Sequence, residues 1–132
     1  MRRIIVLLAG LSLVVAACGG TDVVGVETVP PSEAAQVIGE APDDLVVLDI
    51  RTPEEYSAGT IEGAVNIDFY AADFSDRIAA LDRDATYVLF CRTGSRSAGA
   101  AQLMRDLDFS EVYEIDGGIV AWSQAGEPIT IP

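Results

Sequence analysis

The sequence contains no histidine and no lysine in 132 residues, and it has only two cysteines, Cys18 and Cys91. Without histidine there are no Ser–His nucleophile pairs and no histidine-ligated metal sites. Without lysine there is no Schiff-base chemistry. Positive charge is scarce, since eight arginines stand against 21 acidic residues for a formal net charge of −13. A phosphate backbone needs a basic face, so nucleic acid is not expected as a partner. A solvated acidic surface that keeps the domain in solution accounts for the imbalance. The one long apolar run, Ile4–Ala17, has 14 residues, short of the roughly 20 that span a bilayer.

That run follows Arg2-Arg3 and leads into small residues ending at Cys18, the layout of an export signal. Val15-Ala16-Ala17-Cys18 resembles the bacterial lipobox, which implies cleavage before Cys18 and lipid on its sulfur. An ordinary secretory signal cut near Ala17, with Cys18 incidental, is the alternative. On the lipobox reading residues 1–17 are a lipoprotein signal peptide, 18–22 a short tether and 23–132 one domain. The mature chain keeps 115 residues, six arginines and all 21 acids, for a net charge of −15. That length suffices for one core and not two. The expected location is outside the cytoplasm, held to a bacterial membrane by lipidated Cys18 alone, where an exported redox partner would be in reach. Cys91 is then the one free thiol and no internal disulfide is possible. An unpaired thiol in an oxidising compartment is expected either to react or to be buried and inert.

From Val23 onward strand and helix patterns alternate, which predicts an α/β fold with a mainly parallel sheet. Strands are expected at Val23–Val29, Leu45–Ile50, Ala64–Ile67, Tyr87–Phe90 and Glu111–Ile115. The continuous apolar run Leu45–Ile50 fits a central strand covered on both faces. A helix opens at Pro31-Ser32 and runs to about Gly39, with Ser32 as its cap. Thr52-Pro53-Glu54-Glu55 carries a capping-box threonine, a proline at the first helical position and a glutamate three residues after the threonine. Ala72–Leu81 places Phe74, Ile78 and Leu81 on one helical face. Gly117-Gly118 turns the chain into a closing helix near Ile119–Gln124.

Cys91-Arg92-Thr93-Gly94-Ser95-Arg96 lies between the strand ending at Phe90 and a helix carrying Ala100, Leu103, Met104 and Leu107 at helical spacing. A thiol at such a turn sees backbone amides and the positive end of a helix dipole, both of which favour thiolate. The surrounding acidity repels anions at long range, so an anion site has to be local, made by Arg92, Arg96 and the loop amides within a Debye length of about 8 Å. Gly94 lets the backbone curl until several amides point inward. Thr93 and Ser95 either bond the sulfur or cap the helix. Parallel sheets bind ligands at the carboxyl ends of their strands, which puts Cys91 and Asp49 on one edge.

Four segments in order resemble a rhodanese homology domain across the whole mature chain: Leu48–Tyr56, Gly59–Ile67, the loop Cys91–Arg96, and Gly117-Gly118 with Trp122. The resemblance implies a single five-stranded, mainly parallel sheet with helices on both faces. It implies a sulfurtransferase in which Cys91 takes the outer sulfur of a small anionic donor such as thiosulfate, holds it as a persulfide and passes it to cyanide or a thiol, with no cofactor and no metal. Arg92 would meet the donor at the mouth, Arg96 would brace the loop by pairing with an acid, and Asp49 and Arg51 would tie the second strand to the loop network. Related phosphatases and arsenate reductases carry one more residue between cysteine and arginine. Here four intervene, which favours sulfur over phosphate. Thr60 and Glu62 stand where the family often has histidine and proline. A persulfide carrier, redox sensor or binding module on the same fold is the competing reading.

Overall fold

The computed structural model describes residues 25–132. The expected signal peptide, the tether and its lipid-bearing Cys18, and the first two residues of the first predicted strand lie outside the described residues. Five strands, β1 (Gly25–Val29), β2 (Val46–Asp49), β3 (Val65–Asn66), β4 (Thr86–Phe90) and β5 (Glu111–Ile115), alternate with five helices, α1 (Pro31–Glu40), α2 (Pro53–Ala58), α3 (Phe74–Ala79), α4 (Ser95–Asp106) and α5 (Gly118–Gln124). The strands form one sheet in the order β1-β5-β4-β2-β3, and every pairing is parallel.

The two-residue alternation of a strand divides the core in two. On β4, Tyr87 and Leu89 join Leu48, Ile78, Met104 and Val112 beneath α3 and α4. Val88 and Phe90 point the other way, to Val29, Ala34, Ile115, Ile119 and Trp122 beneath α1 and α5. Both faces of β4 are covered and all five of its residues are buried, which is why this run reads as continuous apolar sequence. Each fully buried large apolar side chain is worth about 1.5–3 kcal/mol relative to exposure. Among the described residues no helix is long and apolar enough to cross a membrane.

Local chemistry sets most helix starts. Thr52 accepts from the Glu55 amide while Glu55 accepts from the Thr52 amide, completing the capping box with Pro53 in the first turn. The cap expected of Ser32 is not made: Pro30 takes the cap position with no side-chain bond, and Pro31 opens the helix, leaving Ser32 inside the first turn. Pro31 has no amide to satisfy at the first helical position, and the Glu33 and Ala34 amides both reach the Pro30 carbonyl, at 3.0 and 3.2 Å, so the backbone serves an amide that a side-chain cap would take. The third helix is shorter than expected, Phe74–Ala79 rather than Ala72–Leu81.

Candidate functional site

Cys91 follows the last residue of β4, and Gly94 sits just ahead of α4 at φ 105°. That left-handed angle is open to glycine and strained for other residues. The four-residue turn folds back on the cysteine, so that the Gly94 amide donates to Cys91 Sγ at 3.1 Å and the Ser97 amide at 3.4 Å, with the Ser97 hydroxyl 3.5 Å away. Burial pushes the Cys91 thiol up, but the Ser97 hydroxyl, whenever its hydrogen faces the sulfur, and the Ser97, Gly94 and Thr93 amides outweigh it and hold the thiol below its ordinary value. Cys91 has 0% of its surface exposed. Burial alone would suit an inert core thiol, but a converging set of polar donors is not what an apolar core gives a sulfur.

The loop is braced from two sides. Ile119 and Val120, in the first turn of α5, donate their amides to the Cys91 and Arg92 carbonyls at 2.9 and 3.1 Å. Arg96 meets Glu55 of α2 in a two-pronged pair, both contacts at 2.8 Å. That hydrogen bonding to Arg96 holds the Glu55 carboxyl at about 2 against an ordinary 4.5, overcoming the opposing effect of burial, and Glu55 in turn raises Arg96. The exposed Tyr70 ring lies 5.7 Å from the Arg96 guanidinium. Arg96 therefore binds an acid, as expected.

Arg92 and Thr93 are exposed at the top of the loop, and among the described residues Arg92 makes no side-chain ion pair. Neither Thr93 nor Ser95 caps α4, whose cap position is Gly94 without a side-chain bond. The hydroxyl on the sulfur belongs instead to Ser97, a residue sequence reasoning missed. Its position six residues after Cys91, on the inward side of the first helical turn, could have suggested it. Ser97 leads to a second missed group, since its Oγ donates to Glu114 Oε1 of β5 at 2.6 Å and Thr28 Oγ1 of β1 donates to Oε2 at 2.9 Å.

Asp49 and Arg51 do not join the Cys91 loop. Asp49 ends β2 beside Phe90, which places both at the carboxyl edge but on the α1/α5 face, whereas Cys91 packs with the α3/α4 face. Asp49 and Cys91 thus share the carboxyl edge, as expected, while their side chains belong to opposite faces of the sheet. Asp49 is 0% exposed and accepts from Arg51 Nε and Nη2, the Arg51 amide and the Thr60 hydroxyl. Arg51 also donates to the Gly59 carbonyl at 2.6 Å. Together they tie β2 to the Gly59–Thr60 corner, and Thr60 fills the position where histidine was noted as common. A cavity of about 370 Å³ lined by Arg51, Glu55, Ile119 and Val120 flanks the loop. Among the described residues no cluster of three or more cysteine, aspartate or glutamate side chains is placed to hold a metal ion.

The family model described as Rhodanese-like domain matches residues 31–125. A thiosulfate sulfurtransferase, GlpE, of Pseudomonas fluorescens is 39% identical over 92 residues, covering 70% of this chain and 81% of its own. A sulfurtransferase of Allochromatium vinosum is 32% identical over 90 residues, covering 68% and 82%. The crystal structure of a rhodanese-related protein from Thermoplasma volcanium superposes with a TM-score of 0.70 at 26% identity, over 80% of this chain and 99% of that one.

Proposed function

The chain belongs to the rhodanese-like domain family, and from that premise we propose that it is a sulfurtransferase working through a persulfide on Cys91. The observation that carries the reading is the convergence of the Gly94 and Ser97 amides on Cys91 Sγ. The Cys91 thiolate attacks the outer sulfur of thiosulfate. A new S–S bond forms, the bond to the sulfonate sulfur breaks with its electron pair, and sulfite leaves, so three negative charges enter and three remain. An acceptor, cyanide or a thiolate, then attacks the added sulfur and Cys91 departs as thiolate. The loop amides offset charge that the acidic surface would otherwise repel. Arg92, free at the mouth, is the residue placed to meet the donor. Arg96, engaged by Glu55, keeps the loop in shape.

The export signal and lipobox support a placement outside the cytoplasm with Cys18 as a lipid anchor, and in that setting a membrane-bound or exported redox partner would supply or collect the sulfur. A second reading, a carrier that loads sulfur once and releases it to a protein partner, draws on the complete burial of Cys91.

Thiocyanate formation from thiosulfate and cyanide, with Cys91→Ser as control, tests the proposal. Turnover that vanishes in the variant is the expected result. A folded protein that gives no thiocyanate but gains the mass of one sulfur on Cys91 would replace the enzyme with the carrier.

A further inference from the structure

The hydrogen of the Ser97 hydroxyl has three claimants. Ser97 Oγ lies 3.5 Å from Cys91 Sγ, 3.2 Å from the Gly94 carbonyl and 2.6 Å from Glu114 Oε1, and a serine has one O–H to give. The shortest contact, to a carboxylate, takes it. Glu114 is 6% exposed, and its second oxygen accepts from Thr28 Oγ1. Both carboxylate oxygens are thus engaged, each by one hydroxyl. With its hydrogen turned to Glu114, Ser97 shows the sulfur a lone pair. A thiol can donate to that lone pair and a thiolate cannot.

We propose that Glu114 is a positioning residue that acts through Ser97 to favour the thiol of unloaded Cys91 against the pull of the loop amides, the thiolate forming when the serine hydrogen swings from the carboxylate to the sulfur. In that event the S–H bond breaks, its electron pair stays on Sγ, and the proton leaves to solvent. Glu114 Oε1 loses its donor. Once a sulfur is captured, Sγ is a neutral divalent atom, the negative charge sits one bond farther out, and the Ser97–Glu114 bond can re-form. Thiol and persulfide both tolerate that bond, and the thiolate between them does not. Glu114 thus raises the energy of the reactive state relative to the two states it connects. The groups facing this chain are Thr28 on β1, the Thr93, Gly94 and Ser97 amides, and Arg96, which senses the charge on Cys91 while bound to Glu55. Among the described residues no further ionisable side chain hydrogen-bonds to Glu114 or Cys91.

The role in sulfur transfer rests on the function proposed above, whereas the hydrogen-bond geometry does not. The test is the pH profile of Cys91 alkylation by iodoacetamide in the full-length protein, read by mass spectrometry of the Cys91 peptide. Glu114→Gln should lower the midpoint by about one pH unit, a tenfold gain in thiolate below both midpoints. The same substitution in a Ser97→Ala background should move it much less. An unmoved or raised midpoint in folded Glu114→Gln overturns the proposal, as does an equal shift in both backgrounds, which would mean that the charge acts directly. Should Glu114→Gln fail to fold, Glu114→Asp keeps the charge but withdraws it from Ser97. Its midpoint should also fall, and an unchanged one would sink the idea. Alkylation involves no sulfur transfer, so an inactive protein with shifted profiles would defeat the proposed function and leave this inference standing.

Discussion

Glu55 serves two structures at once: it closes the capping box of α2 through the Thr52 amide and grips Arg96 at the far end of the cysteine loop. Its folded value of about 2 lies below the ordinary 4.5. A depressed carboxyl contributes stability that is complete above pH 4.5 and lost as pH falls through 2. The pair is partly exposed, with side-chain exposures of 14% and 28%, so solvent screening limits its worth to about 1 kcal/mol. Glu55→Gln should therefore lower the melting temperature at neutral pH by about 4–8 °C and flatten its decline between pH 4.5 and 2, as measured by thermal melts across that range. At this scale the sequence was readable where partners are near neighbours, as in Thr52 and Glu55. Ser97 and Glu114 were not, because their meaning arises where a helix turn lands on a different strand. For Asp49 the position at the strand end was legible, and the face of the sheet it occupies was not.

Among the elements, α5 controls the loop more tightly than its seven residues suggest. Gly117 and Gly118 hold φ of 74° and 61°, and a Cβ on Gly118 would lie 2.5 Å from the Cys91 oxygen and 2.6 Å from the Arg92 carbonyl carbon. These are backbone atoms of a braced loop and cannot yield as a flexible side chain would. Gly118→Ala should cost more than about 2 kcal/mol, combining positive-φ strain with the clash, and should cut thiocyanate formation by more than tenfold. Chemical denaturation and the turnover assay check the two parts. Element by element, β5 emerges at Glu111–Ile115, where the last strand was expected. The strand expected at Ala64–Ile67 shrinks to Val65 and Asn66, because this edge segment pairs on one side through two residues, Leu48 with Val65 and Asp49 with Asn66.

For the molecule as a whole, the excess of acids is the dominant long-range force. Six arginines in Arg51–Arg105 stand against 20 acids from Glu27 onward, two of the arginines are spent in local ion pairs, and the surplus repels itself. Raising the salt from about 0.01 M to 1 M shortens the screening length from about 30 to 3 Å. The melting temperature should rise with added sodium chloride by a few degrees despite the weakening of the Glu55–Arg96 pair. A fall would mean that local pairs outweigh the net field. The α/β class was legible from alternating patterns, since apolar runs such as Tyr87–Phe90 demand cover on both faces. The strand order was not, because β1 lies beside the last strand through pairings that no local signal announces, from Gly25 with Glu111 to Val29 with Ile115.

Because all the strands run the same way, the sheet has a front and a back. The chain enters β1 at Gly25 on one edge and leaves β4 for Cys91 at the other, roughly 17 Å away for a strand of five residues. Whatever is joined to the polypeptide ahead of Gly25 therefore meets the domain at its back, one strand length from the face on which the cysteine loop opens.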